Sequence, residues 1–283
     1  MTPEHEPSGA TIHIAGYRFT DLPDYRALRE PLKARCEALG LLGTILLAPE
    51  GINVMLAGPR EAIEGIKTTL REDPRLADLT FKESLTDTPP FGRLLVKLKR
   101  EIISFDVPGI DPARFTGPTI SPAELKRWYD EGRDFVVLDT RNDYEVRLGT
   151  FENAIDPRIG GFREFPQAVR ALPEQLKQKP VVMFCTGGVR CEKASPFLLG
   201  EGYSEVYQLE GGILNYFAEV GGDHWTGECF VFDERVGLTP DLAPGGAVIC
   251  TVCQSAVTAA EQASPDYRPG DYCPHCRAQH AGA

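Results

Sequence analysis

The chain has 283 residues, of which 42% are hydrophobic and 25% are charged, and its formal net charge at pH 7 is −11. These fractions exclude an intrinsically disordered chain, and the length favours two or three domains, each with its own core. The acidic balance argues against a surface that binds polyanions throughout, but it leaves room for a local basic patch.

No stretch approaches the ~18 uninterrupted apolar residues of a membrane span. The first residues also lack the basic and apolar segments of a secretory signal. Eight cysteines are too few for a disulfide scaffold in a chain of this length. We therefore expect a cytoplasmic protein without a membrane partner, in which the thiols serve a metal or catalysis.

Residues 1–112 are predicted to form an α+β domain. Periodicity and turn residues predict, in chain order, a strand, a helix, two strands, a helix and two strands. These elements are predicted at residues 12–19, 23–39, 42–48, 53–57, 61–70, 79–84 and 94–105. The order of the first six is that of a ferredoxin-like, or acylphosphatase-like, split unit. Cys36 lies on the first helix, where a buried packing role is favoured for a free cysteine.

A basic strip, defined here by Arg93, Lys97, Lys99 and Arg100, lies in a stretch without an acidic residue. Four cations so close together can contact phosphate groups. The same charges equally fit the solvent-exposed face of a strand, so charge alone leaves both interpretations open.

A connector rich in proline and glycine, residues 107–118, precedes a second domain that is predicted at residues 120–225. Its first helix begins at Ser121, with Pro122 at the first helical position and Glu124 at the third, the sequence of a capping box. Apolar strand signals then alternate with helical segments, which predicts a parallel α/β sheet covered on both faces. The strands are predicted at residues 135–138, 181–184 and 206–207.

Cys185 is the candidate catalytic nucleophile. It directly follows a buried strand, and ligands of open parallel sheets bind beyond the carboxyl ends of the strands. The backbone N–H groups of a glycine-containing loop and a helix N-terminus hold anions and lower the pKa of a thiol. The sequence therefore predicts a thiolate rather than a structural cysteine. We call Cys185 and the loop of residues 186–190 around it the cradle, and we expect the thiolate at its open mouth. The predicted anion-binding loop consists of Thr186, Gly187, Gly188, Val189 and Arg190.

The last residue of this loop, Arg190, and the residue after it, Cys191, have open roles. Cys191 can act as a resolving thiol that forms a disulfide with Cys185, or it can pack under the loop. Arg190 is expected to point at the bound anion, and the alternative is a salt bridge on the helix surface with Glu145 or Glu192.

The last segment, residues 226–283, is predicted to be a small zinc-binding segment, because it has too few large apolar side chains for a core of its own. Two CxxC pairs separated by nineteen residues fit a four-thiolate site. Four filled positions leave no place for water, so the zinc is expected to be structural. The predicted ligands are Cys250, Cys253, Cys273 and Cys276, and His275 and His280 are the alternative ligands.

The stretch CTGGVRCEKAS at residues 185–195 resembles the active-site loop of the rhodanese superfamily. Two phrases around it, LDTRNDYE at 138–145 and LEGGI at 209–213, narrow the resemblance to the rhodanese-domain tRNA uridine hydroxylases. Further phrases agree with that family over most of the chain. They are LAPEGIN at 47–53, VPGIDP at 107–112, FREFP at 162–166 and GECFVFD at 227–233.

The resemblance implies an enzyme, an oxidoreductase that uses molecular oxygen to hydroxylate C5 of the wobble uridine (position 34) of tRNA, giving 5-hydroxyuridine. It implies that Cys185 corresponds to the cysteine that carries a persulfide in rhodaneses. It also implies that Asp139 and Arg141 frame the loop, where a charge-assisted bond between them can brace it. The implied partners are tRNA, oxygen and a protein that donates sulfur or electrons. The expected RNA contacts are the basic strip (Arg93, Lys97, Lys99, Arg100) together with Arg158, Arg163 and Arg190.

No flavin, haem or nicotinamide site is evident in the sequence, and the five histidines are not arranged as an iron-binding triad. A plain sulfurtransferase that carries a persulfide on Cys185 is the main alternative. A redox or binding module without enzymatic activity is a third. A phosphatase is disfavoured because the loop of rhodanese-like phosphatases has five residues between the cysteine and the arginine. Here only four residues separate Cys185 from Arg190, so the loop is too small to surround a phosphate group.

Overall fold

The computed structural model describes residues 11–86 and 89–277. Within them the chain divides into two compact units. Unit 1 comprises the residues up to Ser104 together with Asp111–Phe115, and unit 2 comprises Phe105–Ile110 and the residues from Thr116 onward.

Unit 1 is a five-stranded sheet with two helices. Its elements are β1 (Thr11–Phe19), α1 (Tyr25–Ala38), β2 (Leu42–Ala48), β3 (Gly51–Gly58), α2 (Arg60–Arg71), β4 (Lys82–Thr86) and β5 (Leu94–Leu98). The strand order is β4-β1-β3-β2-β5, and all pairs are antiparallel except β2 with β5. The βαββαβ order confirms the ferredoxin-like prediction, with β5 as an additional edge strand.

The core of unit 1 forms because alternate residues of the strands and one face of each helix are apolar. Ile14 of β1 and Val54 of β3 are fully buried, as is Ile63 of α2. Cys36 of α1 is fully buried in this core, which agrees with its predicted packing role. Burial raises the pKa of its thiol to about 11, despite the nearby charge of Arg35.

The last strand of unit 1 is shorter than predicted. The sequence favours a strand over 94–105, but β5 ends at Leu98, and the N–H of Lys99 makes a final bond to the carbonyl of Leu47. Ile102 and Phe105, which follow it, are buried without being part of a strand. The N–H of Ile102 binds the Glu50 carboxylate, and Phe105 stacks on Phe162 within unit 2.

Unit 2 contains the remaining elements. They are β6 (Thr119–Ile120), α3 (Pro122–Asp130), β7 (Val136–Asp139), α4 (Asp143–Val146), β8 (Gly149–Phe151), a 3-10 turn (Phe162–Glu164), α5 (Phe165–Arg170), a second 3-10 turn (Glu174–Gln178), β9 (Pro180–Phe184), α6 (Val189–Gly200), β10 (Glu205–Leu209), α7 (Gly212–Val220), β11 (Trp225–Gly227), β12 (Cys229–Phe230), β13 (Gly237–Leu238), β14 (Val248–Ile249), β15 (Ala256–Val257) and α8 (Ala259–Gln262).

The central sheet of unit 2 has the strand order β6-β10-β9-β7, and all its pairs are parallel. This confirms the predicted parallel α/β architecture. The Ser121 side chain caps α3 by accepting the N–H of Glu124. The predicted capping box is incomplete, because the Glu124 carboxylate accepts instead from the indole N–H of Trp128 and from Arg127.

His224, which precedes β11, makes the stability of unit 2 depend on pH. Its ring stacks on Tyr129 and contacts the carboxylates of Asp130 at 2.8 Å and Glu152 at 3.1 Å. Burial lowers the pKa of His224, but its hydrogen bonds to the two carboxylates outweigh burial and raise the pKa above its usual 6.5. The charged ring therefore stabilises the fold below the unfolded pKa, and this contribution is lost as pH rises through the folded pKa.

We expect His224→Gln to lower the free energy of unfolding by about 1 kcal/mol near pH 6, since the two ion pairs are partly exposed. At high pH the difference from the wild-type protein should shrink, because the wild-type ring is then neutral. Urea unfolding of both proteins at several pH values measures this. A difference that stays constant with pH would contradict the proposed role.

Candidate active site

The cradle is built where β9 meets α6. All four residues of β9 from Val181 to Phe184 are buried, and Cys185 follows directly. Gly188 caps α6 with a φ of 104°, a left-handed conformation that favours glycine. Gly212 lies against the loop, where a Cβ atom would stand 2.3 Å from the carbonyl oxygen of Cys185. Both glycines are therefore required by the backbone of the site.

Backbone donors and a cation converge on the sulfur of Cys185. The N–H of Gly188 donates to its Sγ at 3.1 Å. Burial raises the pKa of the thiol, but hydrogen bonding from Cys191, the charge of Arg190 and the N–H groups of Arg190 and Gly188 together outweigh burial. The net effect lowers the pKa of Cys185 from 9.0 to about 6. The cradle therefore favours a thiolate at neutral pH.

Cys185 is more enclosed than the sequence suggests. We expected a thiol at the open mouth of the cradle, but only 1% of the residue is exposed. The N–H of Ile213 binds its carbonyl, and Gly212 packs closely on the same group. The segment after β11 also reaches the loop, since the Thr186 hydroxyl donates to the Phe230 carbonyl at 3.4 Å. These contacts come from distant parts of the chain and leave the thiol little contact with solvent.

Arg190 forms a two-pronged ion pair with Glu145. Its Nη1 and Nη2 atoms lie 3.1 and 2.8 Å from the carboxylate oxygens, and both residues are buried. Glu145 is thus the salt-bridge partner, and the pair lies in the interior rather than on the helix surface. The same carboxylate accepts the N–H of Asn142. The pair holds the guanidinium in one position, from which its charge acts on Cys185.

Asp139 and Arg141 form a second, fully buried ion pair. Arg141 Nη2 lies 2.6 Å from one Asp139 oxygen, and its Nε lies 2.9 Å from the other. The guanidinium also donates to the Gly149 carbonyl, and the Thr150 hydroxyl donates to Asp139. These bonds join the end of β7 to β8. The family resemblance implied a bond between these two residues, and its role in bracing the loop stays a prediction.

Cys191 lies in the first turn of α6 and is fully buried. Its Sγ lies 3.7 Å from the hydroxyl of Thr140, which in turn donates to the Phe184 carbonyl. Burial and the neighbouring Cys185 raise the pKa of Cys191, so it remains a protonated donor beside the thiolate. This places Cys191 under the loop and close to Cys185, a position compatible with both roles considered above.

The candidate RNA-binding cations lie in different parts of the chain. All four residues of the basic strip, Arg93, Lys97, Lys99 and Arg100, are exposed in unit 1. Arg158 and Arg163 are exposed in unit 2, on either side of Ile159 and Phe162, which are buried. Arg190 differs from them, because it is buried in its ion pair.

The four candidate metal ligands come together in unit 2. Their Sγ atoms all lie within 4.8 Å of one another, with 3.9 Å between those of Cys250 and Cys276 and 3.5 Å between those of Cys253 and Cys273. A zinc ion about 2.3 Å from four sulfurs has edges of about 3.8 Å between them. The cluster, Cys250, Cys253, Cys273 and Cys276, can therefore hold a metal ion.

Comparison with known proteins supports both domains. Residues 11–102 match the UPF0176 acylphosphatase like domain, and residues 121–219 match the rhodanese-like domain. A tRNA uridine(34) hydroxylase from Cupriavidus taiwanensis is 53% identical over 270 residues, which cover 94% of this chain and 96% of that protein. One from Ralstonia nicotianae is 52% identical over 277 residues, covering 96% of this chain and 98% of its own. The chain belongs to the tRNA uridine(34) hydroxylase family.

Among solved structures, a rhodanese-related protein from Thermoplasma volcanium is 26% identical and overlaps 36% of this chain and 93% of its own, with a TM-score of 0.31. Within residues 11–86 and 89–277, no helix combines the length and hydropathy that crossing a bilayer requires. His5 and His280 lie outside the described residues.

Two features of this member of the tRNA uridine(34) hydroxylase family were not among the predicted site residues. Glu145 fixes Arg190; the sequence offered it only as one of two alternative salt-bridge partners, and it lies three residues after Asn142 at the start of α4. Phe230 and Phe232 lie in the segment after β11, and Arg190 is 5.6 Å from the Phe232 ring. Their signal in the sequence was the GECFVFD phrase at 227–233, which by itself indicated only the family resemblance.

The cysteine cluster gives a direct test of metal binding. The four cysteines pack in a small hydrophobic core, and among the described residues Val257 is the only member of that core that is fully buried and is not a cysteine. We expect about one zinc ion per chain, and we expect Cys273→Ser to lose the metal and at least about 3 kcal/mol of the free energy that holds the segment folded. Atomic emission and thermal unfolding, with and without a chelator, measure both. Cys36→Ser is the control and should keep its zinc; a zinc-free wild-type protein would contradict this prediction.

Proposed function

We propose that this protein hydroxylates the uridine at position 34 of tRNA at C5, with molecular oxygen as the oxygen source. The similarity to tRNA uridine(34) hydroxylases along almost the whole of both chains carries this proposal. The cradle of unit 2 supports it, because it lowers the pKa of one thiol and surrounds that thiol with fixed donors.

Cys185 is the proposed nucleophile. Addition of its thiolate to C6 of uracil forms a carbon–sulfur bond and moves an electron pair onto C5, which then bonds to oxygen. Two electrons from a donor, with protons from solvent, cleave the resulting peroxide and give the C5 hydroxyl and water. Loss of the C5 proton and departure of the thiolate restore the ring. The N–H groups of the cradle stabilise the sulfur anion at the start and end of this sequence.

The loop of residues 186–190 stabilises the anionic sulfur, and two buried ion pairs hold this loop in place. Thr186, Gly187, Gly188 and Val189 supply the backbone, and Arg190 supplies the positive charge. We propose that Asp139 and Arg141 act through the position of the loop, without touching the substrate. We propose that the electron donor is a separate protein or a small thiol that reaches this site. If the protein is instead a sulfurtransferase, the corresponding partner is a sulfur donor that loads a persulfide on Cys185.

RNA binding is proposed for the exposed cations. The basic strip in unit 1, and Arg158 and Arg163 in unit 2, would contact phosphate groups of the tRNA. The four-cysteine cluster is proposed to hold a structural zinc ion, because thiolates at these separations leave no open coordination position. We further propose that the protein works in the cytoplasm, where its tRNA substrate is found.

Nucleoside mass spectrometry of tRNA tests the proposed function. In a strain that lacks the gene and has no second route, 5-hydroxyuridine and its derivatives should be absent at position 34, and the gene should restore them. Growth under heavy-isotope oxygen should label the new hydroxyl. Unchanged 5-hydroxyuridine in the deletion strain would overturn the proposal. Turnover of thiosulfate and cyanide without any change in tRNA would instead identify a sulfurtransferase.

A further inference from the structure

Phe232 is a large aromatic side chain that the fold leaves half in solvent. It is 48% exposed, whereas Phe230, two residues before it on the same segment, is only 9% exposed. The two rings meet edge to face at 5.2 Å, and Phe230 also packs against Tyr144 at 5.3 Å. Phe230 therefore anchors the segment, while Phe232 contributes little to the core, since much of its surface is in contact with water.

Contacts connect this exposed ring to the cradle. The guanidinium of Arg190 lies 5.6 Å from the centre of the Phe232 ring. The backbone N–H of the same Arg190 binds the sulfur of Cys185, and the Thr186 hydroxyl holds the Phe230 carbonyl. Because two hydrogen bonds to Glu145 fix the guanidinium, the ring contacts a group that has a defined place beside the cradle.

We propose that Phe232 is the platform on which the uracil base of the substrate stacks when it approaches Cys185. This proposal rests on the proposed function and names the residue that positions its substrate. Enzymes that modify a base must present it unstacked from its neighbours, and aromatic side chains replace the lost stacking. Stacking accepts any flat base, so Phe232 supplies position and affinity rather than discrimination among bases.

The exposure of Phe232 distinguishes this role from packing. A ring that packs is buried, as Phe230 is, whereas Phe232 has a large free surface beside the fixed guanidinium of Arg190. Phe115 is exposed to a similar degree, at 57%, and belongs to unit 1 rather than to the unit that carries the cradle. It is therefore a matched control for the loss of an exposed phenylalanine ring.

The test is a double-mutant cycle on binding, which needs no electron donor. The full chain and its variants are titrated with an anticodon stem-loop RNA that carries uridine at position 34, and with the same RNA lacking that base. Stacking contributes about 1–3 kcal/mol per base, which corresponds to about a 5- to 150-fold change in affinity. We expect removal of the base to weaken binding to the wild-type protein by that factor and to have little effect on Phe232→Leu.

Rescue and control variants complete the cycle. Phe232→Tyr and Phe232→Trp keep a flat ring and should behave as the wild-type protein does, and so should Phe115→Leu. The proposed role of Phe232 is overturned if Phe232→Leu weakens the binding of both RNAs by the same factor. It is also overturned if the wild-type protein binds both RNAs with the same affinity. In either case 5-hydroxyuridine formation in cells still tests the proposed function separately. Failure of the wild-type protein to bind either RNA would count against both proposals.

Discussion

Cys185→Ser is expected to abolish the modification. The hydroxyl of serine has no pKa shift that could make it ionised at neutral pH, so the nucleophile is lost while the size of the side chain is nearly kept. We expect 5-hydroxyuridine formation to fall at least about 1,000-fold, a loss typical of removing a nucleophile. Affinity for tRNA should stay within a factor of about two, because contacts between cations and phosphate groups, which do not involve the sulfur, dominate binding.

Complementation of a deletion strain, read by nucleoside mass spectrometry, measures this effect. Cys36→Ala is the matched control, because it removes another buried thiol, one that lies in the core of unit 1 and whose pKa is raised rather than lowered. That variant should modify tRNA normally despite a packing loss of about 1 kcal/mol. Full modification by Cys185→Ser would show that the thiol is not the nucleophile.

Asp139→Asn is expected to cause a large loss of stability. Asp139 accepts three bonds from Arg141 and one from the Thr150 hydroxyl, and neither member of the ion pair is exposed. An asparagine leaves the guanidinium of Arg141 buried without a counter-charge. Breaking such a pair costs about 3–5 kcal/mol of the free energy of unfolding. This corresponds to a fall in the melting temperature of roughly 6–20 °C.

Asp134→Asn is the control for that prediction. Asp134 also accepts an ion-pair contact at 2.6 Å, from Lys179, but its side chain is 77% exposed. Solvent screens this pair, so its loss should change the free energy of unfolding by less than about 1 kcal/mol. Urea unfolding of both variants compares the same chemical change at a buried and an exposed position. Equal losses in the two variants would contradict the bracing role of Asp139.

Local sequence signals predicted the elements and the identity of the loop. The apolar run before Cys185 is short and continuous, which is typical of a buried parallel strand, and β9 is observed there. Gly188 adopts the left-handed conformation that its place before a helix suggests. The two CxxC pairs were also recognisable in the sequence, because the spacing within each pair is a local signal. The structure brings their four sulfurs together in one cluster.

Features that depend on distant residues could not be predicted in the same way. The enclosure of Cys185 arises from Gly212 and from the segment of Phe230, which follow it by dozens of residues. The partner of Arg190 is 45 residues away, so the sequence left Glu145 as one of two alternatives. Glu124 fits a capping box by position, yet Trp128 one turn later competes for its carboxylate.

The ionisation of Cys185 is the most direct test of this account. The thiolate absorbs ultraviolet light more strongly than the thiol, so the difference in absorbance between the wild-type protein and Cys185→Ser, followed against pH, reports the pKa without requiring a reagent to enter the cradle. Because the donors and Arg190 lower this pKa, the thiolate should be present above a midpoint of about 6 and disappear as pH falls through it. A midpoint at or above the ordinary 9.0 would mean that the cradle does not activate the sulfur.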